Sequence, residues 1–152
     1  MAIGDRRSDA MPAGVVTVVG RRRAHLGPIA RRDLPTVEVR HAIRCASGER
    51  TAGCWRGVAV ADLLDVAAAP GETTHLFVEG RDGYRVGVEL RHALDGLLAV
   101  ERDGTALPTD GPRFVAPGVE GERAVRDVVR VETVTLAPGE TAADREVLDP
   151  DD

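Results

Sequence analysis

The cysteine at position 45 stands where a reactive or metal-binding thiolate could act. It ends the predicted strand 36–45 and shortly precedes Ser47-Gly48, so its side chain is expected at the rim of a sheet beside the N–H groups of a loop. Thiolate is a soft ligand for the heavier transition metals. The neighbouring Arg44 and Arg50 would lower the pKa of this thiol. The ordinary alternative is a small buried hydrophobic residue.

The other groups capable of chemistry are scattered. His41 shares a strand face with Cys45 if the strand is unbroken, because their spacing is even. Cys54 lies nine residues after Cys45, and the pair makes neither a disulfide framework nor a zinc-ligand set. The sequence contains no P-loop, HExxH or GxSxG motif. A small redox or metal protein that uses both cysteines and a histidine remains open, and a bridge requires Cα atoms within about 7 Å.

Composition argues against several kinds of partner. The chain has 152 residues, a net charge of −5 and a sequence pI of 5.4, so no overall positive field attracts nucleic acid or an anionic membrane. All 20 basic residues are arginine, a bias that genome composition, a saline environment or the binding of phosphate and sulfate would each explain. The apolar run 15–19 is too short for a membrane span or a signal-peptide core. We therefore expect a cytoplasmic protein with reduced thiols.

The elements that position these residues follow from apolar patterning. Strands are predicted from β-branched or alternating runs at 15–19, 36–45, 75–79, 84–90, 98–101, 113–116 and the end of 124–136. The runs 75–79 and 84–90 form a hairpin around residues 80–83. Helical spacing of Val60, Leu63, Leu64 and Ala67 predicts a helix from residue 58, and a second helix is predicted over 91–98. Residues 21–32 and 46–53 are predicted as loops.

These elements indicate an α+β fold, a mixed sheet with a few short helices and no regular βαβ alternation. We expect one domain over residues 14–137. Residues 1–13 are predicted to be a disordered N-terminal tail, and residues 138–152 an acidic flexible C-terminal tail.

An ordered series of short motifs resembles the sulfite-oxidase-type molybdopterin oxidoreductase family over about residues 35–136. The series is Cys45-Ala-Ser-Gly-Glu-Arg50, Trp55-Arg-Gly57-Val58, Asp62-Leu63-Leu64, Asp82-Gly83-Tyr84, Leu97-Leu98-Ala99, Asp103-Gly104-x-x-Leu107 and Ala116-Pro117-Gly118-Val119-x-Gly121-x-Arg123-x-Val125-Arg126. The resemblance implies that fold and a molybdenum cofactor carried on molybdopterin. Order and spacing, rather than any single piece, carry the likeness.

The resemblance also assigns roles residue by residue. Cys45 matches the family's molybdenum-ligating cysteine, and Arg50 matches the arginine beside the anion-binding substrate pocket, the catalytic candidate. Gly118 and Gly121 match the loop that passes close to the pterin. Arg123 and Arg126 match basic positions that hold the pterin phosphate.

Three further matched positions are expected to be structural: Trp55 as a packed indole, Asp62 as a helix-start carboxylate and Tyr84 as a hairpin tyrosine.

Two functions remain open on the sequence. The first is a molybdopterin-dependent oxidoreductase that transfers an oxygen atom to or from a small oxyanion or sulfoxide and passes electrons to a separate partner. The second is a cofactor-free relative that serves as a binding or assembly module. Three departures from the family motivate the second function. Asp127 stands where the family commonly has tryptophan, and Glu49 replaces the family's first arginine. The family's upstream Arg-Asn-His segment also has no clear counterpart before residue 35, which leads us to expect a truncated member.

Overall fold

The structure is a computed structural model that describes residues 14–44, 50–107, 111–119 and 123–148. These residues form two sheets of five strands each. The strands are β1 (Val16–Val19), β2 (Arg23–Leu26), β3 (Thr36–Arg44), β4 (Arg50–Ala59), β5 (His75–Gly80), β6 (Arg85–Glu89), β7 (Leu97–Arg102), β8 (Thr105–Ala106), β9 (Arg113–Val115) and β10 (Val128–Val134). The helices are α1 (Pro28–Arg32), α2 (Val60–Val66), α3 (Leu90–Ala93) and a 3₁₀ helix, Ala142–Arg145.

The first sheet has the order β2-β1-β10-β5-β6 and is mixed, because β1 and β10 run parallel while its other pairs are antiparallel. In the second sheet β3, β4 and β7 pair antiparallel, and both β8 and β9 pair with β7. The predicted α+β class with a mixed sheet is therefore confirmed. The β5–β6 hairpin and the pairing of the segments around 98–101 and 113–116 are also as predicted.

The main core lies between the sheets and contains α2. Strands contribute alternate residues to this core, and α2 contributes three buried side chains at helical spacing. The apolar faces of the strands and of the helix therefore pack in one cluster. Its fully buried members include Val16, Val18, Leu63, Leu76, Val78 and Phe114. A smaller cluster, built on Trp55, Leu97 and Val115, comes from alternate positions of the second sheet.

Several predicted boundaries are wrong. Residues 21–32 are not a loop: β2 pairs with β1 at a sheet edge, and α1 follows with Pro28 at its start, where a missing N–H costs nothing. The predicted loop 46–53 ends early, because β4 begins at Arg50. The predicted helix 91–98 is shortened to α3, since Leu97 already belongs to β7. In the first case the exposed Arg23 and His25 obscured the strand pattern.

Packing continues beyond residue 137, where composition placed the end of the domain. The 3₁₀ helix contacts β6, and Val147 forms a backbone bridge with Arg85. The would-be Cβ of Gly87 lies 3.0 Å from both Ala142 and Phe77, so this segment covers the outer face of the first sheet at Phe77. The described part of the predicted tail 138–152 is thus packed on the domain. The predicted tail 1–13 lies outside the described residues. Within those residues, no helix is long and apolar enough to cross a membrane.

Candidate functional site

The segment carrying the predicted metal ligand connects two paired strands. Arg44 and Arg50 are partners in the β3–β4 register, so residues 45–49 join the strands at that end. Cys45 itself, like Glu49, lies outside the described residues, and for Arg50 the structure describes the backbone. The roles of Cys45 and Arg50 therefore stay predictions.

The glycine loop lies toward the other end of β4. Val115, which precedes the loop, pairs with Leu97, and Leu97 pairs with Ala59 at the last residue of β4. Nine residue steps separate Arg50 from Ala59, about 30 Å at the usual rise of a strand. The described backbone of Arg50 and the described members of the glycine loop are therefore not neighbours along the second sheet.

Two predicted cofactor-binding residues line one pocket. Gly118 and Arg123 border an open pocket of about 280 Å³, here called the glycine-loop pocket, together with His75, Glu89, His92 and Glu146. Pockets for whole small molecules usually measure about 300–1,000 Å³, so this one suits part of a cofactor, such as a ring edge or a phosphate. Gly121 lies outside the described residues, and its role stays a prediction.

Gly118 has the backbone conformation that glycine permits. Its φ is +81°, and a Cβ built on it would meet nothing within 4 Å. A larger residue here would be strained by its backbone rather than by a collision. The open space above Gly118 fits the close approach of a flat group, so the described loop is compatible with a pterin beside it.

Arg123 is engaged by a carboxylate of this chain. Its Nη1 donates to Glu146 Oε2 and to the Gly87 carbonyl oxygen at 3.1 Å, and its Nη2 donates to Glu146 Oε1 at 3.1 Å. The Glu146 side chain is 4% exposed and that of Arg123 is 42% exposed. A phosphate that took the same donors would have to displace Glu146.

Glu146 is held as a carboxylate. Burial alone raises its pKa, but the hydrogen bonds from Arg123 and from the Gly87 N–H, at 2.7 Å, together with the positive charge of Arg123, bring the pKa below the ordinary value. The pair is therefore ionised at neutral pH, and it fixes the 3₁₀ segment to β6. Sequence reasoning missed Glu146 because its partner lies 23 residues earlier in the chain.

Arg126 and Asp127 face different surroundings. The side chain of Arg126 is exposed and does not border the glycine-loop pocket, so the structure does not bring it together with Arg123 there. Asp127 has φ +51°, a left-handed conformation that aspartate tolerates better than most residues. Its carboxylate lies 3.4 Å from Arg81 Nε, and its carbonyl accepts the Arg81 N–H at 3.0 Å. The aspartate thus ties the end of the glycine segment to the β5–β6 turn.

The three matched positions expected to be structural are confirmed as such. Trp55 is 1% exposed, and the guanidinium groups of Arg102 and Arg113 lie 5.4 and 5.7 Å from its ring. Asp62 is the acidic residue in the first turn of α2. Tyr84 follows the hairpin turn and packs against the main core. The two arginines on Trp55 carry no sequence signal, since their proximity depends on the pairing of β7 with β4 and with β9.

The described cysteine is not part of a metal cluster. Cys54 is free and half-buried in β4 opposite Arg40, with Sγ 3.9 Å from Glu38 Oε1. Among the residues that the structure describes, no three histidine, cysteine or acidic side chains are grouped so as to hold a metal ion. A cysteine–histidine metal centre therefore gains no support from this part of the chain.

Comparisons with known proteins agree with this fold. Residues 22–140 match the family model described as the oxidoreductase molybdopterin binding domain. The crystal structure of the sulfane dehydrogenase SoxCD from Paracoccus pantotrophus is similar, with a TM-score of 0.75 and 19% sequence identity, over 86% of this chain and 41% of that one. This chain thus spans less than half of that structure's chain, and at such identity the likeness concerns the fold. A search of curated protein sequences gave no match.

Proposed function

Because the chain belongs to the oxidoreductase molybdopterin-binding domain family, we propose that it binds a molybdenum cofactor and serves oxygen-atom transfer on a small oxyanion or sulfoxide. The observation that carries the proposal is that Gly118 and Arg123, two positions matched to the family's pterin loop, border one pocket. The pocket joins an open glycine backbone to a guanidinium, the combination that a flat ring with a phosphate requires.

When bound, molybdopterin would supply the metal that accepts or gives up the oxygen atom and changes oxidation state. The chain's part is to bind and orient. The backbone at Gly118 would let the ring approach, and Arg123 would donate hydrogen bonds to the phosphate after exchanging Glu146. From the family resemblance we assign Cys45 as the thiolate ligand of the metal, and Arg50 as the cation that orients an anionic substrate. Because Arg50 and the glycine loop lie toward opposite ends of β4, the metal assignment rests on the resemblance and the pterin assignment on the glycine-loop pocket. Gly121 is proposed to complete the loop's contacts, and Arg126, which does not border the pocket, keeps a proposed role from the family resemblance alone.

Two further assignments belong to this proposal. A separate partner protein would supply or accept the electrons of the reaction. We place the protein in the cytoplasm, where free thiols such as that of Cys54 stay reduced.

The test is the metal and pterin content of the protein purified from cells supplied with molybdate. We expect about equimolar molybdenum by elemental analysis, and pterin fluorescence after acid oxidation. Cys45→Ala should lose the molybdenum, whereas the matched control Cys54→Ala should keep it. A wild-type protein with neither metal nor pterin would overturn the proposal.

One observation favours the second function, a cofactor-free binding or assembly module. The ion pair between Glu146 and Arg123 already neutralises the arginine assigned to the phosphate. On this alternative, Cys45→Ala leaves the protein's function in the cell unchanged. Loss of that function in a folded Cys45→Ala variant would count against it.

A further inference from the structure

A second pocket lies apart from the glycine-loop pocket and shares none of its residues. It measures about 480 Å³ and is bordered by α1, the first residue of β3, the end of β4 and part of β7. Its charged members are Arg31, Arg32, Arg56 and Glu101, and we call it the arginine pocket. Thr36 also lines it, eight residues before the Arg44 end of β3, so the pocket is far from the strand connection that holds Cys45.

Arg31 is the unusual member. It is 6% exposed, and its Nη1 donates to the carbonyl oxygens of Gly14 and Leu26, the latter at 2.9 Å. In the described residues no hydrogen bond or ion pair engages its Nε or Nη2. Burial lowers the pKa of Arg31, and among the described residues no carboxylate forms an ion pair with it. A buried guanidinium without a counter-ion is costly, so this site favours a negatively charged ligand.

Arg32 and Arg56 extend the same charge to the pocket mouth. Both are exposed, and within the described part of the chain neither forms an ion pair, although Glu101 also borders the pocket. Three arginines and one carboxylate therefore line the pocket in a chain whose net charge is −5, while Arg56 lies between Glu101 on β7 and Glu38 on β3 in the strand register. The local excess of positive charge is a property of this pocket rather than of the protein.

We propose that the arginine pocket binds a tetrahedral oxyanion, phosphate or sulfate, either free or as the end group of a small ester. Guanidinium groups present paired N–H donors that match two oxygens of such an anion. The Thr36 hydroxyl adds a donor at the pocket wall. Val58 and Val100 supply an apolar wall, and Val100 is 40% exposed, so an ester with a small apolar group gains contact that a free anion does not.

The experiment is a titration of the full chain with inorganic phosphate, inorganic sulfate and phenyl phosphate, at constant ionic strength, followed by calorimetry. We expect saturable binding that weakens on the order of tenfold in Arg32→Gln and in Arg56→Gln, as for a lost charge-assisted hydrogen bond. The exposed arginine of the β1–β2 turn gives the matched control, Arg21→Gln, which should bind as the wild type does. Tighter binding of phenyl phosphate would assign the ester, and equal binding the free anion.

Amide shifts in NMR spectra place the bound anion. Shifts at Thr36, Gly57 and Val100 are expected, whereas shifts confined to Gly118 and its neighbours would place the anion in the glycine-loop pocket and overturn the proposal. So would the absence of saturable binding, or equal loss in Arg21→Gln. Arg31→Lys, which keeps the charge and removes the fork, should also bind weakly, judged alongside its melting temperature. These readouts do not depend on molybdenum, so they fail or succeed separately from the proposed function.

Discussion

Replacing Glu146 by glutamine tests how much the ion pair with Arg123 adds to the other contacts that hold the segment after residue 137, such as the Val147–Arg85 backbone bridge. The variant keeps the size and an acceptor oxygen of the side chain but removes its charge. It leaves Arg123 without its counter-ion and sets an amide N–H₂ group against donors of Arg123 and Gly87. We expect the 3₁₀ helix to loosen from β6 and the domain to lose stability.

The size of the loss follows from the burial of the two partners. Removing one member of a fully buried pair costs about 3–5 kcal/mol, whereas exposed pairs contribute about 0–1 kcal/mol. Glu146 is 4% exposed but Arg123 is 42% exposed, so solvent screens part of the interaction. An intermediate loss of about 2 kcal/mol is expected. For a domain of this size that corresponds to a melting temperature lower by about 4–8 °C.

The loss should depend on pH in one direction. The folded protein lowers the pKa of Glu146, so the carboxylate stabilises the fold at pH values above its unfolded pKa, about 4.3. This contribution disappears as the pH falls through the lower, folded pKa. The difference in stability between wild type and Glu146→Gln should therefore be full at neutral pH and shrink in acid.

Urea unfolding at several pH values measures these differences. Glu140→Gln is the matched control, because its partner Arg145 lies 3.4 Å away and both side chains are about 45% exposed. The control should lose less than about 0.5 kcal/mol. Equal losses in the two variants, or a difference that grows in acid, would refute the assignment of stability to the Arg123–Glu146 pair.

Substitutions at three further positions test the packing around the matched motifs. Gly57→Ala should lower the free energy of unfolding, measured in urea, by about 3 kcal/mol, because its Cβ would lie 1.9 Å from the Leu98 carbonyl oxygen. This is the upper range of the loss for overpacking. A variant as stable as the wild type would contradict the β4–β7 register. Trp55→Ala should lower the free energy of unfolding by about 3–5 kcal/mol, and Trp55→Phe by clearly less, because the indole is buried. Thermal melts measure both, and equal melting temperatures of the two variants would contradict this. Asp127→Ala should cost about 1–2 kcal/mol through its left-handed backbone and the lost pair with Arg81, and Asp127→Asn should recover the backbone part.

Local patterns were enough to predict much of the fold. The helix α2 was found because Val60, Leu63 and Leu64 repeat at helical spacing and are all buried. The β5–β6 hairpin was found because a turn with two glycines separates two apolar runs. By contrast, β2 was missed because two of its four side chains, Arg23 and His25, are exposed and basic or polar, so its pairing with β1 leaves little trace in hydrophobicity.

The candidate site was predictable only where residues act near each other in the chain. Gly118 and Arg123 lie five residues apart, and both border the glycine-loop pocket. The partner of Arg123 was not predictable, because Glu146 lies in an acidic stretch whose composition resembles a tail. Likewise, nothing in the basic run 21–32 indicates that Arg31 is buried while Arg32 is exposed, since that difference arises when α1 packs beside β2.

The Arg123–Glu146 ion pair, which favours the cofactor-free module, would have to break if a cofactor phosphate bound Arg123. Both terminal nitrogens of Arg123 donate to Glu146, so a phosphate that binds them displaces the carboxylate. The released carboxylate would lose the Gly87 N–H as well, and a buried, unpaired charge drives a segment out toward water. On the proposed function, a phosphate bound at the glycine loop and the 3₁₀ helix docked on β6 would therefore compete for Arg123. The charge of Glu146 would then weaken phosphate binding, so that Glu146→Gln is expected to bind a phosphate at the loop more tightly than the wild type does.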